Sequence, residues 1–256
     1  MRSLLITLLA ALQLIFSAPL KAQDHQITIG SGFSLPPYMT EGSNRGLLAE
    51  IIRSSFAAVN TEISFQYGTN LQVMDGFKAY QTDAVINATS SAFPSSYLSD
   101  VVITFKNRAI SLRDNNFQIH ELNALLKYSV IGFNAASKLL NNEFREVVAQ
   151  HEQYSEMVKQ INQVDALLSG KTDVIIADEL IFKYFRSQLV RQNYKQQHYL
   201  AEVDFHPVLP ETDYRIAFHD ENLRNKFNKG LNIIRKNGTL FKIHQRYQTL
   251  LDSHIF

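Results

Sequence analysis

The sequence predicts an α/β fold in two units, each with a largely parallel sheet. A short phrase occurs twice, because residues 82–88 read TDAVINA and residues 172–178 read TDVIIAD. Each copy is an apolar run that follows a stretch with helical apolar spacing and a polar turn, which is typical of a buried parallel strand. Predicted strands and helices also alternate along the chain. Two such units with polar strand ends favour a cleft between two lobes.

The first part of the chain supplies one of these units. Apolar residues that recur every three or four positions predict helices, and alternating apolar residues predict half-buried strands. The elements predicted here are, in order, a strand at 26–30, a helix at 46–59, a strand at 63–65, a short helix at 71–78 and the strand 82–88.

The same patterns continue to the end of the chain, where Asn237-Gly238 predicts a helix stop with a glycine after it. The elements predicted here are an extended segment at 101–112, a strand at 128–132, helices at 139–148 and 158–168, the strand 172–178, a strand at 214–218 and helices at 223–234 and 240–251.

The first residues predict an exported protein. Arg2 precedes a 13-residue apolar run from Leu4 to Phe16, and small or turn-forming residues follow up to Ala22. This pattern predicts a secretory signal peptide over residues 1–22, and the run is well short of the roughly 20 residues that span a membrane. The chain has no cysteine, which excludes disulfides and a lipid-bearing cysteine. We therefore expect a soluble periplasmic protein without a lipid anchor.

Composition and motifs argue against several classes of function. Twenty-five basic and 24 acidic residues leave no basic field for nucleic acid. The Gly170-Lys171-Thr172 sequence lacks the glycine that a phosphate-binding loop carries five residues earlier, where Asp165 stands. No nucleophile elbow occurs, and the eight histidines have no metal-ligand spacing. We expect no catalytic residues, no cofactor and no metal site.

A series of landmarks resembles the family 3 extracellular solute-binding proteins, the periplasmic receptors of polar amino-acid ABC transporters. The resemblance extends from about Gln26 to Tyr247. The landmarks are, in order, Pro36-Pro37-Tyr38, the helix start with Gly46, Leu47 and Glu50, TDAVINA, SDVVITF at 99–105, YSVIGFNAA at 128–136, TDVIIAD, and YRIAF at 214–218 followed by ENLRNKFNKGLNIIRKNGTLFKIHQRY at 221–247.

The resemblance implies a two-lobed, type II periplasmic-binding-protein fold of the Venus-flytrap kind, with a mostly parallel sheet in each lobe. Lobe 1 would combine residues 23–105 with 212–256, and lobe 2 would hold residues 106–211. Two segments would cross between the lobes as a hinge. Such a monomer would close on a ligand and present a surface to an inner-membrane permease.

The resemblance also implies a set of ligand-binding residues. Aromatic rings would pack on the ligand, polar groups at two strand ends would hold it, and an acid would receive its amino group. Each has a second interpretation: the aromatic residues can be core, and the polar residues can be helix caps. The predicted ligand-binding residues are Phe33, Tyr38, Asn87, Thr89, Ser90, Phe133, Asn134, Ser137 and Asp178.

One departure affects the predicted ligand. The family follows its first TD strand with a Thr-x-x-Arg signature, whose arginine binds the ligand's α-carboxylate. Here the segment 90–100 reads SSAFPSSYLSD, and no arginine lies between Lys78 and Lys106. Either another cation, such as Arg45 or Arg108, takes this role, or the ligand is not a standard α-amino acid.

Together these observations predict a receptor rather than an enzyme. We expect it to capture a small polar, amine-bearing, amino-acid-like ligand and deliver it to an ABC permease. Two alternatives stay open: a ligand-sensing subunit of a membrane signalling protein with the same fold, and a dehydratase-like enzyme on this scaffold.

Overall fold

The computed structural model describes residues 26–32, 34–40, 45–88, 93–193, 195–254 and 256. The predicted signal peptide, residues 1–22, lies outside the described residues. Within these ranges we find no helix whose length and apolar character match a membrane span.

Strands and helices alternate through the described chain, which confirms the predicted α/β class. The strands are β1 (Ile27–Gly32), β2 (Ile63–Gly68), β3 (Ala84–Ala88), β4 (Tyr97–Leu98), β5 (Ile103–Phe105), β6 (Asn107–Leu112), β7 (Val130–Phe133), β8 (Tyr154–Met157), β9 (Val174–Asp178), β10 (Val203–His206) and β11 (Thr212–Phe218). The α-helices are α1 (Leu47–Ala57), α2 (Asn70–Lys78), α3 (Ala136–Leu139), α4 (Asn142–Ala149), α5 (Gln160–Leu168), α6 (Glu179–Gln192), α7 (Glu221–Lys236) and α8 (Thr239–Asp252).

Two sheets divide the strands between two lobes. The first sheet has the order β2-β1-β3-β11-β4. Strand β4 pairs with the last residues of β11, and β5 pairs with its first residues. The second has the order β10-β6-β9-β7-β8. The chain passes to the second sheet between β5 and β6 and returns between β10 and β11. The division into residues 23–105 with 212–256 and residues 106–211 stays a proposal, and this assignment of strands supports it.

The repeated phrase occupies equivalent places in the two sheets. Strand β3 pairs in parallel with β1 and antiparallel with β11. Strand β9 likewise pairs in parallel with β7 and antiparallel with β6. Each copy therefore joins the parallel part of its sheet to the strand that follows a crossing between lobes.

Each sheet is mixed, because one described strand in it runs against the others. Among the described strands, parallel pairing joins β1, β2 and β3 in the first sheet and β7, β8 and β9 in the second. Strand β11 in the first sheet and β6 in the second run antiparallel to these strands, and β4, β5 and β10 pair with β11 or β6 and so run in the same direction as the parallel strands. The physical reason is the topology, because β6 and β11 each enter a lobe from a crossing beside the carboxyl ends of β9 and β3 and therefore run against them.

Some elements were not predicted from the sequence. Strands β4, β8 and β10 are two to four residues long and half exposed, so they have no clear alternation. Helix α6 has apolar residues on two sides, because it packs against both lobes. Its buried residues Phe182 and Leu189 join a core cluster of the second lobe, whereas Ile181 joins the core of the first.

Candidate functional site

The end of β9 places the predicted ligand-binding acid beside the crossing between lobes. Strand β9 pairs antiparallel with β6, and this register sets Asp178 opposite Asn107, just after the crossing. Asp178 is 3% exposed. The acid that closes the second phrase therefore lies at the hinge, inside the protein.

The carboxylate of Asp178 accepts four hydrogen bonds from the protein. Its Oδ1 accepts from the main-chain N–H of Leu180 at 3.0 Å and of Ile181 at 3.1 Å, which caps helix α6. The Tyr38 hydroxyl donates to the same oxygen at 2.8 Å, and the main-chain N–H of Lys106 donates to Oδ2 at 2.8 Å. Burial raises the pKa of Asp178 overall, although these hydrogen bonds oppose the rise.

Tyr38 joins the first-lobe core and reaches the second lobe through its hydroxyl. The residue is 1% exposed, and its ring stacks on Phe105 with the centroids 4.1 Å apart. Burial, and then the charge of Asp178, raise the pKa of the Tyr38 hydroxyl, so it stays protonated and donates. The structure thus brings Tyr38 and Asp178 together. Tyr38 occupies a core position and Asp178 caps a helix, and these were the second interpretations of the two residues.

A cavity of about 440 Å³ lies between the lobes at the hinge. Its walls come from the crossing segment, from helices α7 and α8 of the first lobe, and from the start of α6 in the second. The lining residues are Tyr38, Val101, Val102, Ile103, Thr104, Lys106, Asp178, Glu179, Leu180, Arg235, His244 and Gln248. A second cavity of about 290 Å³ lies in the first lobe beside the ends of β1 and β3, lined by Gly32, Leu35, Asn70, Ile86 and their neighbours.

Arg108, one of the two cations that could replace the missing family arginine, is bound to acids of the hinge. It is 7% exposed, its Nε donates to Glu179 at 2.7 Å, and its Nη2 donates to Glu211 at 2.7 Å. Burial lowers the pKa of Arg108, but the hydrogen bonds to these two glutamates outweigh burial and raise it. Lys106 lies 4.0 Å from the same Glu211 carboxylate. In this conformation Arg108 therefore forms ion pairs with carboxylates of the protein itself.

The main chain of the second-lobe turn after β7 donates hydrogen bonds to an acidic side chain of the protein itself. Phe133 packs against a second-lobe core cluster, Asn134 is exposed, and helix α3 begins after Ala135. The main-chain N–H groups of Ala135 and Ser137 donate to the two carboxylate oxygens of Glu156 on β8, at 2.7 and 2.8 Å. Phe133, Asn134 and Ser137 thus lie together, with Glu156 beside them. Local spacing contains no signal for Glu156, because strand β8 is short and half exposed.

The remaining predicted residues are described only in part. Phe33, Thr89 and Ser90 lie outside the described residues. Asn87 lies on β3, but its side chain is outside the description. Residues 93–96 form a turn that leads to β4, so the described part of this connection contains no helix. Across the described ranges, no group of three or more His, Cys, Asp or Glu side chains could hold a metal ion.

Comparison with known families identifies the chain. The sequence profile of the bacterial extracellular solute-binding proteins, family 3, matches residues 27–249. The chain belongs to this family. The match spans both sheets of the family 3 protein and both crossings between them. A comparison with curated protein sequences finds no match.

Solved structures similar to this family 3 protein include transport and sensor domains. An ancestral cationic amino acid solute-binding protein has a TM-score of 0.66 at 16% identity, over 87% of this chain and 95% of that one. A second substrate-binding domain assigned to an amino acid ABC transporter of Streptococcus pneumoniae has a TM-score of 0.63 at 20% identity, over 87% and 99%. A histidine kinase sensor domain has a TM-score of 0.62 at 17% identity, over 87% and 96%. These likenesses establish the shared two-lobed fold.

Proposed function

We propose that this family 3 protein is a periplasmic receptor that binds a small polar, amine-bearing solute between its lobes. It delivers the solute to an inner-membrane ABC permease, acts as a monomer and performs no covalent chemistry. The observation that carries this proposal is the inter-lobe cavity, whose walls come from both lobes and from the crossing segment. A change in the angle between the lobes alters such a cavity directly, which links solute binding to closure.

The position of Asp178 on the wall of the cavity supports a solute with an amino group. Acids of the second lobe and the hinge gather here, namely Asp178, Glu179 and Glu211. Three cations lie beside them: buried Arg108 pairs with Glu179 and Glu211, Lys106 lies 4.0 Å from Glu211, and Arg235 lines the same cavity. A ligand ammonium in a closed cleft forms strong charge-assisted hydrogen bonds to carboxylates. Asp178 remains our candidate for this contact in the closed form, where an ammonium would replace the Tyr38 hydroxyl.

The test is a binding screen on the purified chain from residue 23 onward. Native mass spectrometry detects a solute that co-purifies, and a thermal-shift panel of amino acids, amines and small organic acids follows. A solute present at about 100 times its dissociation constant stabilises the folded protein by roughly 2.7 kcal/mol, which gives a clear shift. A panel in which only organic acids shift the melting temperature would contradict the amine-bearing class.

Delivery to a permease is tested separately in cells. A deletion strain should lose uptake of the identified solute and regain it when the gene is restored. The second candidate role is suggested by the histidine kinase sensor domain that shares this fold. Unchanged uptake together with a lost transcriptional response to the solute would favour that sensor role. Turnover of the solute by pure protein, lost in Asp178→Asn, would favour the enzyme alternative.

A further inference from the structure

We infer that Lys106 and Arg235 form a second charged subsite of the inter-lobe cavity, which binds a carboxylate on the solute whose amino group meets Asp178. This inference rests on the proposed function and deepens it, because it assigns cations to the role of the arginine that is missing between Lys78 and Lys106. Both residues line the cavity of about 440 Å³, together with Asp178. That volume lies in the range of about 300–1,000 Å³ that is typical of small-molecule sites.

The two arginines considered first do not fit this role. The side chain of Arg108 is 9% exposed, and it donates to Glu179 and to Glu211 at 2.7 Å. Releasing it would leave buried charges without their partners, which is costly. Arg45 is exposed and is not among the lining residues of either cavity described above. A solute carboxylate must therefore find another cation.

Lys106 and Arg235 hold their protein partners only loosely. The Nζ of Lys106 lies 4.0 Å from a carboxylate oxygen of Glu211, and the Nη1 of Arg235 lies 3.9 Å from one of Asp100. Both distances are longer than a hydrogen bond, and the two cationic side chains are 50% and 37% exposed. Exposed ion pairs of this kind contribute little free energy, so a solute carboxylate can compete for both cations.

Main-chain contacts anchor both cations at the cavity that Asp178 lines. Lys106 lies on the crossing between β5 and β6, and its main-chain N–H donates to Oδ2 of Asp178 at 2.8 Å. Arg235, near the end of α7, donates from Nη2 to the main-chain oxygen of Val101, which also lines the cavity. The proposed acceptor of an ammonium and the proposed donors to a carboxylate are thus parts of one site.

The three charged residues come from different parts of the molecule. Asp178 belongs to the second lobe, Lys106 to the crossing and Arg235 to the first lobe. A solute with both charges would therefore contact both lobes at once, whereas a plain amine would lose the contacts with Lys106 and Arg235. A guanidinium and a carboxylate form paired, charge-assisted hydrogen bonds, which is why we assign a carboxylate to this subsite.

The test compares each solute with two relatives by isothermal titration calorimetry. The solutes are the standard amino acids and ornithine. For each one that binds, the relatives are the amine left by loss of the α-carboxylate and the N-acetyl derivative, which has no charged α-amino group. We expect at least one amino acid to bind and its amine to bind about tenfold or more weakly, a difference of about 1.4 kcal/mol. The N-acetyl derivative should also bind weakly.

Variants then assign the carboxylate contact to the two cations. Lys106→Gln and Arg235→Gln should each weaken binding of the amino acid about tenfold, because each removes one charged partner of the carboxylate. Binding of the matching amine should stay within about twofold of wild type in both variants. Lys236→Gln removes an equal charge from the exposed residue next to Arg235, outside the cavity lining, and should leave both affinities unchanged.

Four results would contradict the inference or the proposal beneath it. An amine that binds as tightly as its amino acid overturns the inference and, where the N-acetyl form binds weakly, leaves the receptor proposal standing. An N-acetyl form that binds as tightly as its amino acid contradicts the amine-bearing class, and with it the pairing of the two subsites. A preference for the amino acid that survives in both cation variants would show that another group binds the carboxylate. A panel in which no amino acid binds also overturns the inference.

Discussion

At the scale of single residues, two carboxylates hold main-chain N–H groups at the ends of second-lobe strands. Asp178 caps α6 and also accepts from Tyr38 of the first lobe, 140 residues away in sequence. Glu156 holds the turn before α3. Both groups are satisfied by donors of the protein, so their removal leaves buried or half-buried donors without partners.

Asp178→Ala should lower the free energy of unfolding by about 3 kcal/mol. The loss of a helix cap contributes about 1 kcal/mol, and unpaired donors at Lys106 and Tyr38 contribute the rest. Tyr38→Phe removes only one hydroxyl and should cost about 1 kcal/mol. Urea unfolding of both variants measures the difference. A smaller loss in Asp178→Ala than in Tyr38→Phe would contradict the assigned role of the carboxylate.

Glu156 should make stability depend on pH in the acid range. Its pKa in the folded protein lies below its ordinary value of about 4.3, so ionised Glu156 stabilises the fold above that value. This contribution is lost as the pH falls through the lower, folded-state pKa. The melting temperature of wild type should therefore exceed that of Glu156→Gln most clearly near neutral pH, and the difference should shrink on acidification. A difference that does not vary with pH would count against the prediction.

At the scale of elements, the first lobe depends on a close contact between α1 and α7. Gly230 of α7 faces the main chain of Ser55 in α1, and a Cβ at position 230 would lie 1.9 Å from the Ser55 oxygen. The rings of Phe56 and Phe227 lie 5.2 Å apart beside this contact. A glycine inside a helix normally weakens it, so its presence here reflects packing rather than helix propensity.

Gly230→Ala should therefore destabilise the protein by about 1 to 3 kcal/mol, although alanine is the better helix former. The two helices must move apart to admit the methyl group. Asn232→Ala, on the exposed side of the same helix, should change stability by less than about 0.5 kcal/mol. Thermal or urea unfolding of both variants provides the measurement, and a stabilised Gly230→Ala would refute the close contact.

At the scale of the whole molecule, the lobes are joined by more than the two crossing segments. Helix α6 follows a strand of the second sheet, yet its Ile181 is buried in the first-lobe core. Lys183 of the same helix lies 3.0 Å from Asp252 at the end of α8. The main-chain oxygen of Phe256 accepts from the side chains of Gln188 and Arg191. Helix α6 is therefore a further link between the second sheet and the first lobe.

Ile181→Ala should weaken this link as well as the fold. Replacing a buried isoleucine by alanine lowers the free energy of unfolding by about 2 to 5 kcal/mol, and Leu189→Ala in a core of the second lobe should cost a similar amount. Only Ile181→Ala should raise amide hydrogen exchange in α8, because only that side chain packs into the first lobe. Equal exchange in the two variants would exclude α6 as the link.

The local sequence pattern predicts most of the helices and strands, but it does not predict the contacts of the candidate site. The periodicity of α1, α7 and α8 and the apolar runs of β3 and β9 predicted these elements to within a few residues. The position of Asp178 at a strand end was predicted as well. Its partner Tyr38 and the role of Glu156 were not, because both contacts join segments whose proximity depends on strand pairing.

The sequence alone determined that this is a two-lobed α/β protein with one TDxxI-type strand in each lobe, since short-range apolar spacing and the order of landmarks are properties of the chain itself. The tertiary structure decided which groups the polar strand ends contact. Asp178 accepts hydrogen bonds from Tyr38 and from the start of α6, and Arg108 donates hydrogen bonds to two glutamates. Hydrogen-bond partners depend on register and burial across the fold, and those quantities exist only once the two sheets have formed.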